Sequence, residues 1–219
     1  MAKHYKIFSQ LNRRKVYIAL LHITLKEGRA LQRRWRGQLY YTTYSAFARG
    51  TLIWVRHGVP FQQQSNLVDP EGRYVAVCGH LAGQEVALLS IYAPNVEQIT
   101  FLESLSAKLM TYLQKPLLIG DFNCVADVSL DRSHPPLRDS PTNRTAKGFR
   151  EWQINWNLTD VWRALHPGGR DFSFFAGLHD LHVRLDIFLC TLMLYGSMSA
   201  IEYLTRTVLD HNPVLLSIT

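Results

Sequence analysis

Short apolar runs, each closed by a polar or turn-forming cluster, recur along this chain and confine it to a β-rich α/β design. They fall at 39–45, 51–55, 74–78, 86–92, 117–119, 172–175, 183–189 and 214–218, with breakers such as Asp69-Pro70-Glu71-Gly72 between them. Three stretches carry helical spacing instead. Residues 13–36 mix helix formers with Leu20, Leu21, Leu25 and Leu31 and predict a helix or helix-turn-helix. Asn95 caps an expected helix over 96–114, in which Phe101, Leu105 and Leu109 recur every four residues. Phe149, Trp152 and Trp156 share one face of an expected helix at 146–156, after a surface loop at 131–145 rich in Pro, Arg, Asp, Ser and Asn. With 219 residues, no internal repeat and no clear interdomain linker, the pattern predicts one α/β domain with mostly antiparallel sheets.

Charge narrows the possible partners. Residues 1–36 hold ten Lys/Arg (Lys3, Lys6, Arg13, Arg14, Lys15, Lys26, Arg29, Arg33, Arg34 and Arg36) against Glu27 alone, while the remainder has 14 basic and 16 acidic residues. So concentrated a positive field attracts polyanions such as DNA or RNA; equally, it can be the solvated face of a helix. No run of 18 apolar residues exists and Met1–Lys6 opens no apolar leader, so neither a membrane span nor a secretory signal is expected. Cys78, Cys124 and Cys190 lie far apart in odd number, which reads as buried thiols in a reducing compartment.

The polar residues that end strands carry the chemistry. In Gly120-Asp121-Phe122-Asn123, an extended turn would set Asp121 and Asn123 on one face, both aimed at a phosphate; the same four residues also suit a plain turn. Asp186 interrupts an apolar stretch, where a carboxylate needs a partner, and Arg184 two residues earlier could supply a salt bridge. Asp210-His211 before Asn212-Pro213 suits either a polarised general base or a turn. Tyr92, in Tyr92-Ala93-Pro94-Asn95, can donate to a phosphate oxygen or close the core edge. All four motifs sit where strands end, so they converge if those strands pack together.

In their order, these motifs resemble the endonuclease/exonuclease/phosphatase superfamily, which includes DNase I and the exonuclease III-type abasic-site endonucleases. Arg49-Gly50-Thr51-Leu52-Ile53, Asp69-Pro70-Glu71-Gly72-Arg73-Tyr74, Leu158-Thr159-Asp160-Val161-Trp162-Arg163 and His166-Pro167 are similar to the endonuclease domain of non-LTR retrotransposon polyproteins. The likeness runs from Leu25 to Thr219. It implies a DNase I-like α/β fold, a two-sheet β-sandwich flanked by helices, and Mg²⁺-dependent nicking of DNA in the nucleus. His211 then resembles the base or phosphate-contacting histidine, with Asp210 as its orienting carboxylate and a metal ligand. Asp121 is similar to the residue that aligns the attacking water, while Asn123 and Tyr92 resemble the groups that hold the scissile phosphate. Asp186 matches the supporting strand carboxylate, with Arg184 beside it as a substrate contact.

The resemblance fails at the N-terminus. The family opens with an Asn-bearing strand and ends a second strand in Q-E-T-H, whose Glu is its principal metal ligand. Counting back without gaps from Leu25 puts that Glu position on His22; aligning on Leu11–Val16 instead deletes about ten residues through the second strand. Glu27 lies beyond the strand end, and imidazole replaces an oxygen ligand poorly for Mg²⁺. Residues 1–24 are therefore expected to be a divergent or truncated basic segment, and 25–219 the nuclease-like domain, N-terminally incomplete. The reading is a DNA-nicking endonuclease by descent, a degenerate copy with a damaged metal site, or else a catalytically inactive nucleic-acid-binding domain.

Overall fold

The computed structural model describes residues 3–33, 35–45, 48–110, 116–177, 180–205 and 211–219. It divides into two compact units, Met1–Tyr92 and Ala93–Thr219.

The first unit begins with α1 (Lys3–Arg13), β1 (Ile18–His22), α2 (Leu25–Gln32), β2 (Gly37–Thr43) and β3 (Gly50–Arg56). Its later strands are β4 (Phe61–Val68), β5 (Tyr74–Leu81) and β6 (Gln84–Tyr92). Strand β3 lies between β1 and β2, antiparallel to both, with His22 opposite Thr51 and Thr43 opposite Gly50. Strand β5 likewise lies between β4 and β6. On β3, Leu52 and Trp54 join Ala19, Ile23 and Leu31 in an apolar cluster. Thr51, whose side chain alternation turns the other way, hydrogen-bonds Ser90 of β6. Strand β3 is thus covered on both faces, which is why it reads as a continuous apolar run.

Residues 13–36, expected to be helical throughout, contain β1. Of the two alignments, the gap-free one needs no deletion through the second strand, and it agrees with β1, whose five residues pair with β3 and end at His22. The run Ile18-Ala19-Leu20-Leu21 has no polar residue to mark a period, so tertiary pairing decided its conformation. Strand β4 gave no signal: Gln62, Gln63, Gln64, Ser65 and Asn66 are all exposed, and an edge strand needs little apolar surface.

The second unit contains α3 (Gln98–Leu109), β7 (Pro116–Asp121), α4 (Pro141–Asn155), β8 (Leu158–Asp160), α5 (Val161–Leu165), β9 (Phe174–Ala176) and β10 (Leu181–Val183). It continues through β11 (Asp186–Thr191), α6 (Leu192–Tyr195), β12 (Met198–Tyr203) and β13 (Val214–Ile218). Strand β11 lies between β7 and β8, antiparallel to both, while β9–β10 and β12–β13 form antiparallel pairs. Helices α3 and α4 are joined where Trp152 Nε1 donates to Ser106 Oγ at 2.8 Å, and Phe122, Phe149 and Trp152 pack ring to ring. Helix α3 is capped by Glu97 rather than Asn95. Helix α4 starts five residues before the expected Ala146, because Ser140 caps it and Pro141 is tolerated in a first turn, where its missing N–H costs nothing. No helix among the described residues is long and apolar enough to cross a membrane.

Candidate functional site

In the second unit, β7 and β11 bring two carboxylates to one sheet end, with Asp121 directly opposite Asp186 in the register. Like charges set opposite one another repel unless each is otherwise engaged. Asp186 accepts a hydrogen bond from His211 Nδ1 at 2.6 Å. Asp121 Oδ1 accepts the Asn123 backbone N–H at 2.9 Å, closing an Asx turn. Asn123 has a φ of 48° in the left-handed region, so the segment is not the extended turn expected from its sequence. Its side-chain Nδ2 donates to Ala93 O at 2.7 Å, and its own carbonyl accepts from Gln98 Nε2 at 3.0 Å. The turn reading of Gly-Asp-x-Asn is therefore the one these hydrogen bonds describe.

His211 is seated on three sides. Its backbone bridges Phe174, its ring lies tilted against that phenyl with centroids 5.0 Å apart, and its Nδ1 is held by Asp186. Next to it, Asn212 Nδ2 donates to Phe172 O at 2.8 Å. Asp186 is fixed in turn: its backbone N–H donates to Ser173 Oγ at 3.0 Å, and its carbonyl accepts from Tyr203 Oη at 2.7 Å. Burial pushes the Tyr203 phenol up, with Arg184 opposing, so it stays a donor. Ser173 carried no sequence signal, since a serine between phenylalanines resembles any strand residue. With Nδ1 donating to Asp186, the neutral ring carries its lone pair on Nε2. The side chains of His211 and Asp186 retain 26% and 17% exposure. Asp210, the expected orienting carboxylate and metal ligand, lies outside the described residues.

Arg184 requires correction. Its side chain is 0% exposed and makes no approach to solvent as a substrate contact must; nor is Asp186 its salt-bridge partner. Nε and Nη2 form a fork on Asp131 at 2.8 and 3.1 Å, while Nη2 and Nη1 reach Asp160 at 2.6 and 3.2 Å. Arg163 adds a second guanidinium on Asp131 at 2.5 Å, and Arg184 lies 5.3 Å over the Trp162 ring. Burial alone would lower the Arg184 guanidinium, but Asp160, Tyr203 and Asp131 carry it well above its ordinary value. Asp131 opens the segment expected to be a surface loop, yet it is fully buried and also accepts the Ala126 and Asp127 backbone N–H groups. The 158–163 motif is thus the wall of an ion network that anchors the start of β11, two residues from Asp186.

In the first unit, Tyr92 closes β6 half-buried, with the His22 ring 4.7 Å away and the Arg73 guanidinium 5.6 Å over its own ring. His22 Nε2 donates to Ile91 O at 2.9 Å. Glu27 is a helix cap: its Oε2 accepts from Thr24 N and Oγ1 at 2.7 and 2.9 Å, and Thr24 Oγ1 accepts the Glu27 N–H, a complete capping box.

Magnesium takes oxygen ligands in near-octahedral array. Among the described residues, no three His, Cys, Asp or Glu side chains converge as a metal site. The position expected to be Glu holds His22, with one ring nitrogen committed to a carbonyl, and Glu27 is committed to its cap. Among the described residues, this donor set does not fit a magnesium centre.

No protein-family model matches the sequence. The fold, however, is that of solved DNA-processing proteins. A 3′-5′ exonuclease from Neisseria meningitidis superposes with a TM-score of 0.75 at 19% identity, over 99% of this chain and 94% of that one. An AP endonuclease from Archaeoglobus fulgidus gives 0.76 at 14% identity, over 98% and 93%. An AP endonuclease from Leishmania major gives 0.70 at 18% identity, over 95% and 80%. The expected α/β architecture of sheets flanked by helices, of the DNase I type, is therefore met.

Proposed function

We propose that this chain is a DNA phosphodiester hydrolase, a nicking endonuclease by descent, whose acid–base pair is built but whose hydrolysis is slow. The hydrogen bond of 2.6 Å from His211 Nδ1 to Asp186 carries the proposal. The likeness in fold to an exonuclease and two AP endonucleases supports it. So does the order of the strand-end motifs, while the likeness of residues 49–53, 69–74, 158–163 and 166–167 to retrotransposon endonuclease domains supports such an origin and, with it, work in the nucleus.

Asp186 fixes the proton on Nδ1, so Nε2 takes a proton from water as the water oxygen bonds phosphorus and the bond from phosphorus to the 3′-oxygen breaks; the protonated Nε2 then hydrogen-bonds a non-bridging phosphate oxygen, and the leaving 3′-oxygen takes its proton from solvent. Asp186 offsets the imidazolium charge as it forms. The Asn123 amide, turned by its bond to Ala93, has a second N–H for an equatorial phosphate oxygen. Asp121 lies across the register from Asp186, where its carboxylate can orient the water. Mg²⁺ is the ion that the resemblance implies, and the imidazole of His22 in place of a carboxylate is the reason to expect a low rate.

That substitution also favours a second reading, a DNA-binding domain without hydrolysis. Conversion of supercoiled plasmid to open circles, measured in Mg²⁺ and in EDTA with His211→Ala as control, separates the two. Nicking that His211→Ala abolishes supports the hydrolase. Folded protein that binds DNA and never nicks it overturns the hydrolase in favour of the binding domain.

A further inference from the structure

The excess positive charge belongs to one unit. Met1–Tyr92 holds 13 Lys/Arg against Glu27, Asp69, Glu71 and Glu85, whereas the remainder has more acids than bases. Two of those cations stand at the strand ends of this unit beside aromatic rings. The loop from β2 to β3 places the Arg49 guanidinium 4.3 Å over the ring of Tyr44, whose side chain is 57% exposed. The turn from β4 to β5 packs directly on that loop. Gly72, at a φ of +73°, lies so close that a Cβ there would meet Arg49 O at 2.6 Å and Tyr44 N at 2.7 Å. Arg73 follows immediately, with its guanidinium over Tyr92 and Nη1 donating to Tyr92 O at 3.4 Å. His22, exposed, completes the row at 4.7 Å from Tyr92.

Tyr44, Arg49, Arg73, Tyr92 and His22 thus form a contiguous series of rings and cations on one end of the unit. Bringing two guanidiniums together costs energy that an anion between them recovers. Burial and the neighbouring Arg49 both lower the Arg73 guanidinium, outweighing Tyr92, Glu71 and Asp69. Asp69 is buried, and its Oδ2 accepts the Arg73 backbone N–H at 2.9 Å. Glu71 is the exposed acid beside the pair. Planar, weakly hydrated guanidiniums suit phosphate, and an exposed tyrosine offers a face to an unstacked base.

We propose that Arg49 and Arg73, with Tyr44 beside them, form an anion site that holds a DNA phosphodiester without a metal ion. This rests on DNA being the partner in the function proposed above. The site lies next to the residue at which a metal-binding carboxylate is expected, so an arrangement of cations and imidazole replaces one that would attract a cation.

The test is fluorescence anisotropy of labelled single-stranded and duplex oligonucleotides with the full chain in EDTA, across a salt series. Wild-type protein is expected to bind. Arg49→Gln with Arg73→Gln should weaken binding about tenfold and flatten the logarithmic salt slope by roughly 0.7–0.9, the release expected from one phosphate contact. Tyr44→Ala, at an exposed ring, should weaken the single strand several-fold more than the duplex. If the double variant loses its circular dichroism spectrum, Arg49→Gln alone decides, with half the slope change expected. An unchanged affinity and slope in the folded arginine variant overturns the site. Wild-type binding that appears only with Mg²⁺ also overturns it, yet leaves a DNA hydrolase standing.

Discussion

His211 donates from Nδ1 to the carboxylate of Asp186, a residue 25 positions earlier in the chain, at 2.6 Å. The bond aligns the imidazole through a strand that is itself clamped by Ser173 and Tyr203. If this pair performs the chemistry, His211→Ala and Asp186→Asn should each lower plasmid nicking by at least about 100-fold, the range of a lost general base. Circular dichroism and DNA affinity should stay near wild type. Equal nicking by Asp186→Asn would remove it from the site.

Arg184→Met should act on stability instead. It strands the carboxylates of Asp131 and Asp160 without their shared guanidinium, and breaking a buried pair from one side costs on the order of 3–5 kcal/mol. Urea denaturation measures the loss, and DNA affinity of the protein that remains folded should be unaltered. An undiminished midpoint would mean that Asp131 is satisfied by Arg163 and its two backbone donors alone.

Glu27→Ala tests the helix-cap assignment. Removing half of a capping box should cost about 1 kcal/mol of stability, with no change in the Mg²⁺ response of nicking. A lost Mg²⁺ response at unchanged stability would make Glu27 a metal ligand after all.

His22→Glu restores the residue type that the resemblance expects. It should raise nicking in Mg²⁺ at least tenfold while weakening DNA binding in EDTA, since a carboxylate repels the phosphate that Arg49 and Arg73 attract. A variant that nicks no faster would indicate that more than this one ligand is missing.

Thiol labelling reads the burial of the second unit. Burial, reinforced by Asp160, pushes the Cys190 thiol up to about 11, and burial with Asp121 raises Cys124 further. At pH 8 roughly one Cys190 in a thousand is thiolate, so half-exposed Cys78 should react first and the other two only on unfolding. The raised values favour the protonated folded state. Their stabilisation is complete below the ordinary thiol value of about 8.5 and is lost as pH rises towards the folded values. Fast labelling of all three in native protein would contradict this packing.

The sequence determined the local elements and the places where chemistry could stand. Apolar runs bounded by turn residues located β2, β3, β5, β6, β7 and β13, and Asp121, Asp186 and His211 each terminate or flank a strand as their motifs require. Conformation of this kind depends on neighbours a few residues away, which the sequence displays directly. Tertiary structure alone decided the partners. Arg184 could have met Asp186 or a substrate; a fold that brings Asp131 from 53 residues away and Asp160 from 24 sent it inward. Residues 18–22 carry no period of their own and became a strand because β3 offered them a ladder. Whether Glu27 serves an ion or a helix end was likewise decided by distance in space. An ionised side chain takes the partner that best repays its desolvation, and that partner need not be near it in the chain.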